Sequence, residues 1–120
     1  MKAKKLLCAI ADPVLQLAVA AKLEGNELAF TNNGYDLWKR VTTGSHDAVV
    51  AENGLRGMEA IPALRQAQDT GNTTPCVILS SKSSVRGLAQ TLGHVEFVHL
   101  TSVQKLDEIV PALERLIPAD

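Results

Sequence analysis

Five short apolar runs, each followed by a stretch with helical punctuation, constrain this chain more than any other feature. The runs are Lys4–Ala11, Glu27–Thr31, Asp47–Ala51, Cys76–Ser80 and Val95–Leu100. A run of five to eight such residues between turn signals reads as a strand, and a nearly unbroken one reads as a strand buried on both faces. Between them lie stretches of helical character. Asp12 is placed to cap a first helix with Pro13 at its first position. That helix carries Val14, Leu17, Ala18, Ala21 and Leu23 and stops at Glu24-Gly25-Asn26. Asn33-Gly34 is a turn pair ahead of a second helix, Tyr35–Val41, which stops near Gly44. Met58–Gln68 is the third helix, with Pro62 near its first turn, and Ser83–Leu92 is the fourth, ended at Gly93. Ser102 caps a fifth that runs to about Ile117, which Pro111 is expected to kink or split. The alternation βαβαβαβαβα predicts α/β architecture: a five-stranded parallel sheet, doubly wound, with helices on both faces.

At 120 residues the chain fits one domain, residues 1–120. With 12 basic and 13 acidic residues the net charge is -1, which argues against a broad nucleic-acid footprint. Aromatics are scarce (Phe30, Tyr35, Trp38 and Phe97), so no stacking platform for single strands is expected. No apolar run is long enough to span a bilayer. Lys2, Lys4 and Lys5 precede the first apolar run, but Asp12-Pro13 ends it early, so the segment is read as a strand and not a leader. Cys8 and Cys76 lack metal-ligand spacing and read as small buried hydrophobes of a reducing, cytoplasmic compartment. His46, His94 and His99 show no metal spacing and read as surface or loop-edge residues, with His99 bordering the presumed site.

Function in such sheets gathers at the carboxyl ends of the strands. The residues there are Ala11-Asp12, Glu52-Asn53, Ser80-Ser81 and Leu100-Thr101. The run Asp47-Ala48-Val49-Val50-Ala51-Glu52-Asn53-Gly54-Leu55-Arg56-Gly57-Met58 resembles the corresponding run of response-regulator receiver domains. Asp12-Pro13, Asn33-Gly34 and Thr74-Pro75-Cys76-Val77-Ile78-Leu79-Ser80-Ser81 add to the resemblance, and Phe97 falls at the family's switch aromatic. The resemblance implies a flavodoxin-like (βα)5 fold with strand order 2-1-3-4-5. It also implies a phospho-accepting Asp after the third strand, an acidic pair that holds Mg²⁺, a Lys after the fifth strand and a Ser or Thr after the fourth.

The sequence departs from that pattern. Glu52 stands at the acceptor position, Ile10 and Ala11 at the acid pair with only Asp12 beside them, and Leu100 at the lysine. A one-residue shift brings Asp12 into the pair without restoring both acids. Ser80 alone matches in type. The expectation is a degenerate, stand-alone pseudo-receiver: no catalysis, no Mg²⁺ (Asp12 and Glu52 being its only remaining ligands), and signalling by protein–protein contact. Glu52 itself has three readings: a relic, a fixed charge imitating phosphoaspartate, or a surviving acceptor or metal ligand. Imitation would have it accept a hydrogen bond from Ser80, with Lys82 or Arg56 as countercharge.

The partner expected from the resemblance is a histidine kinase or a downstream effector. The family's usual contact face implies Phe97, Val85, Leu88, Val103 and Leu106 as switch or contact residues, wherever these are exposed, and allows a homodimer through the same face. Phe97 is otherwise plain core. Two rivals stand beside this reading. One is a phosphorylatable atypical receiver. The other is a small flavodoxin-type cofactor protein, which Thr70-Gly71-Asn72-Thr73 suggests weakly, since that segment lies ahead of the fourth strand and reads as a turn.

Overall fold

A computed structural model describes residues 2–118. Its elements alternate strictly: β1 (Lys5–Ala9), α1 (Pro13–Lys22), β2 (Glu27–Thr31), α2 (Gly34–Thr43), β3 (Ala48–Glu52), α3 (Ala60–Asp69), β4 (Cys76–Ser80), α4 (Val85–Ala89), β5 (Val95–His99), a 3-10 segment (Val103–Glu108) and α5 (Ile109–Leu116). All strand pairs are parallel, and the order is β2-β1-β3-β4-β5. This is the order the resemblance implied.

The strand sequences explain the layering. Side chains alternate across a strand, so each apolar run feeds two cores. Leu7, Ala9, Val49, Ala51, Cys76 and Ile78 face α2, α3 and α4, where Leu37, Val41, Ile61 and Leu64 meet them. Leu6, Cys8, Ile10, Val50, Val77 and Leu79 face α1 and α5, against Val19, Leu23, Ile109 and Leu113. Each fully buried Leu, Ile or Val contributes roughly 1.5–3 kcal/mol. β1, β3 and β4 are central and wholly apolar in their interiors. β2 and β5 are edges and only half-buried. Cys8 and Cys76 fall in different cores, and burial pushes both thiols up to about 12, so neither is a nucleophile at neutral pH.

The helices are less regular than their sequence pattern predicts. α3 begins at Ala60, two residues later than expected, with Pro62 in its first turn, where a missing N–H breaks no helical bond. α4 is five residues long, against the ten of Ser83–Leu92. No side chain caps it, and Gly87 sits at its centre with open space around it. Gly87→Ala is therefore expected to stabilise the protein by about 0.5–1 kcal/mol, read from the urea midpoint. The last helix is divided, as Pro111 suggested. A 3-10 segment gives way at Ile109 to α5, which places Pro111 in the first turn of the α-helical part. Ser102 holds the cap position, but its side chain makes no capping bond.

The turn Thr70–Thr73 precedes β4, at the rim opposite the strands' carboxyl ends. Asn72 spends its side chain there on structure, donating to the Val41 carbonyl at 2.9 Å and accepting from the Thr74 amide at 3.0 Å. His46 lies on the same side, at the edge of the loop before β3, and is half-buried. Among the described residues, its buried Nδ1 has no hydrogen-bond partner. Burial holds its pKa below the ordinary value, with Lys5 and Arg40 adding to the effect and Asp47 and Glu27 opposing it. The unfolded chain thus binds the proton more readily, and stability falls as pH drops below about 6.5. His46→Gln should flatten the slope of urea-unfolding free energy between about pH 6.5 and 5.

Candidate functional site

The carboxyl ends of β1, β3 and β4 open into a cleft of about 360 Å³. Asp12, Leu15, Glu52, Asn53, Gly54, Glu59, Leu79, Ser80, Ser81, Lys82 and Leu100 line it. All four predicted pocket residues, Asp12, Glu52, Ser80 and Leu100, thus come together on one rim.

Glu52 is the last residue of β3, paired in register with Leu79. Its side chain crosses the rim to the loop after β1. One carboxylate oxygen, Oε1, accepts hydrogen bonds from the Ala11 amide at 2.5 Å and from the Asp12 amide at 2.9 Å. Two consecutive N–H groups thus converge on one anionic oxygen, the stronger kind of hydrogen bond. The longer reach of Glu over Asp, roughly 1.5 Å, is what spans the gap. Asp12 is also committed: Oδ1 accepts from the Val14 amide at 2.9 Å and the Leu15 amide at 3.4 Å, capping α1. The capping role read from Asp12-Pro13 is the one it plays.

The expected bond between Glu52 and Ser80 is absent. Ser80 Oγ instead accepts from the Lys82 amide at 3.1 Å, closing the turn after β4. No ion pair joins Glu52 to Lys82 or Arg56 among the described residues. Both backbone donors go to Oε1, which turns the carboxylate toward the loop after β1. Leu100 continues the β4–β5 ladder, its amide donating to Ser80 O at 2.8 Å, and brings no charge to the rim.

Glu59 is a residue that the sequence did not single out. Its Oε1 accepts from the Gly54 amide at 2.9 Å and the Leu55 amide at 2.8 Å, bracing the loop after β3. The signal was a carboxylate directly before the true start of α3, hidden by setting that start at Met58. That loop is also tied to the turn after β2. The Gly34 amide donates to Arg56 O at 2.9 Å and the Arg56 amide to Asn32 O at 3.0 Å.

The predicted contact face divides. Leu88 and Val103 are exposed, at 56% and 77%. Val85 and Leu106 are buried at 4% and 3% and pack in opposite cores, so neither is a surface contact. Val85 and Ala89 turn the inner side of α4 to the sheet, which leaves Leu88 outside. Leu106 joins Ile109 and Leu113 in the stripe beneath the last helix. Phe97 is half-buried; the Arg86 guanidinium stands 4.8 Å from its ring centroid and covers it. His99 has its ring 6.2 Å from that of Phe97, and its Nε2 lies 3.0 Å from the Ser81 carbonyl.

The donor set does not fit Mg²⁺. That ion takes near-octahedral oxygen ligands and needs carboxylates turned toward it. Asp12 and Glu52 each spend an oxygen on backbone N–H groups, and Ile10 and Ala11 supply none. Among the described residues, no three His, Cys, Asp or Glu side chains are grouped to hold a metal ion.

No family model matches the chain, and no curated protein matches it by sequence. Its fold, however, has many counterparts. The receiver domain of the sensor histidine kinase PA1611 from Pseudomonas aeruginosa, solved with magnesium coordinated in its active-site cleft, superposes with a TM-score of 0.83 at 19% identity, covering 98% of this chain and 99% of that one. The chemotaxis response regulator CheY4 of Vibrio cholerae gives 0.77 at 14% identity, over 92% and 98%. The response regulator TrrA of Thermotoga maritima, solved with Mg²⁺ and BeF, gives 0.74 at 18%, over 92% and 98%. The chain has the flavodoxin-like fold of response-regulator receiver domains.

Proposed function

We propose that this protein is a receiver-fold signalling module that acts by protein–protein contact and does not take phosphate on an aspartate. The observation that carries the reading is the commitment of Glu52 Oε1 to the amides of Ala11 and Asp12. Phosphoryl transfer to a carboxylate needs an oxygen free to attack from the cleft, with positive charge positioned opposite. Here two backbone donors hold Oε1 and fix the carboxylate against the loop after β1, and Leu100 offers no charge. Losing one positioned stabilising group typically costs 10²- to 10³-fold in rate. The rim is instead fixed by the chain's own contacts, which suits a module with one constant shape. Of the three readings of Glu52, relic, mimic and acceptor, the geometry favours a fourth: a structural tie between β3 and the loop after β1.

The partner in this reading is another signalling protein, a histidine kinase or a downstream effector, met in the cytoplasm. Leu88 and Val103 are the exposed apolar contacts left on the face formed by α4, β5 and the last helix. No helix among the described residues is long and apolar enough to cross a membrane. No catalytic role is proposed.

Acetyl phosphate and Mg²⁺ test this directly. After prolonged incubation the intact mass is expected to stay unchanged. A stoichiometric phosphoryl adduct on Glu52 or Asp12 would overturn the reading.

A further inference from the structure

The chain has four aromatic side chains. Phe30 and Phe97 pack against the two cores. Tyr35 and Trp38 do not: they are 59% and 37% exposed on the outer side of α2. Positions three and four apart share a helix face, so Tyr35, Trp38, Lys39 and Thr42 form one stripe. Opposite it, Leu37 and Val41 are buried. Thr42 satisfies its hydroxyl within the helix, donating to Trp38 O and Lys39 O. At the helix start, the bridge between Asn33 and Arg56 sets the loop after β3 alongside. Gly57 lies against the Tyr35 ring, so close that a Cβ there would stand 3.0 Å from it. Arg56, exposed, directly precedes Gly57 in that loop and so stands at the start of α2.

The charges on this face do not balance. Asp36 is paired with Arg40 at 2.9 Å. Lys39 adds to the pull on the Asp36 carboxyl but does not pair with it, and among the described residues neither Lys39 nor Arg56 has an acidic partner within 4.0 Å. Two unpaired cations thus flank two exposed rings.

We propose that Tyr35, Trp38, Lys39 and Arg56 form a docking face for an acidic segment of a partner protein that carries an apolar side chain. Trp, Tyr and Arg are the side chains that most often dominate binding at protein interfaces. The unpaired cations select an acidic partner and steer its approach. A second copy fits poorly, because twofold pairing would set Lys39 and Arg56 against their own counterparts. A nucleic acid calls for a broader basic surface than two cations on a chain of net charge -1. None of the four residues lines the cleft, so the proposal stands independently of the Glu52 reading.

Trp38 is the only tryptophan, so its emission reports on this face alone. The probe is a random library of displayed peptides, about twelve residues long, selected on the whole protein. Retained peptides are then synthesised and titrated against Trp38 emission. The expected consensus is two or more Asp or Glu around an aliphatic or aromatic residue. Binding should be saturable and should weaken at least tenfold in Arg56→Glu and in Tyr35→Ala, with circular dichroism unchanged. Three results would overturn the proposal: no selected peptide that depends on both residues, a basic consensus, or tighter binding of oligothymidylate than of any peptide. Self-association that disappears in Trp38→Ala would assign the face to a second copy and overturn it as well.

Discussion

Gly34→Ala is expected to destabilise the protein by at least about 3 kcal/mol, at the upper end of overpacking costs. A Cβ on Gly34 would lie 1.6 Å from the Met58 carbonyl oxygen and 2.4 Å from its carbon. The obstacle is backbone and cannot rotate away. To make room, α2 must part from the loop after β3. That movement also breaks the bond from the Gly34 amide to Arg56 O. For a domain of this size the loss corresponds to a fall in Tm of roughly 12 °C. Thermal melts of Gly34→Ala and Gly87→Ala form an internal contrast, since the same chemical change meets open space at Gly87. Equal effects at the two sites would show that close approach of backbone is not what demands Gly34.

The strands were more legible than the helices, for a physical reason. β2 and β4 begin and end where their apolar runs do, because turn residues bound them on both sides. β1 is shorter than Lys4–Ala11, since pairing on both flanks ends before the apolar run does; Ile10 is buried all the same. The sequence misjudged α4 because a one-turn helix has too few residues to fix its phase. Val85 and Leu88 are both apolar, and only the position of the sheet decides which one turns inward. Leu106, a contact only if exposed, lies in a 3-10 segment whose packing turns it inward. In the cleft, the order of the elements told which strand ends gather at the rim, and Glu52, Asp12, Ser80 and Leu100 do gather there. It did not tell which partner each takes. Glu52 finds its donors 41 and 40 residues away, in a loop whose amides are exposed to it only once β1 and β3 have paired. Ser80, nearest in type to the family pattern, accepts at its hydroxyl oxygen from the amide two residues on.

Glu52→Ala is expected to cost about 2 kcal/mol, lowering Tm by roughly 8 °C, because two amides lose a charge-assisted acceptor at a half-buried rim. Hydrogen exchange at Ala11 and Asp12 should quicken at least tenfold, while amides in the β1–β3 ladder slow or hasten only with global stability. Glu52→Gln keeps an acceptor oxygen of the same reach and gives up the charge, so its loss should be about half as large. Glu52→Asp withdraws the carboxylate by roughly 1.5 Å, beyond hydrogen-bonding reach of the loop after β1. It should therefore behave like Glu52→Ala in exchange, even though it restores the residue type that the receiver resemblance implies at this place. Nor should it gain phosphate from acetyl phosphate, because Leu100 still stands where the resemblance implies a lysine, Ile10 and Ala11 where it implies the acid pair, and Asp12 stays committed to capping α1. A ligand that binds only the folded state raises Tm in proportion to ln(1 + [L]/Kd), so Mg²⁺ at millimolar concentration should leave the wild-type melt in place. A Mg²⁺-dependent rise in wild type that vanishes in Glu52→Ala would mean that Glu52 is a metal ligand and not a tie. Undisturbed exchange at Ala11 and Asp12 in Glu52→Ala would mean that other contacts hold the loop after β1.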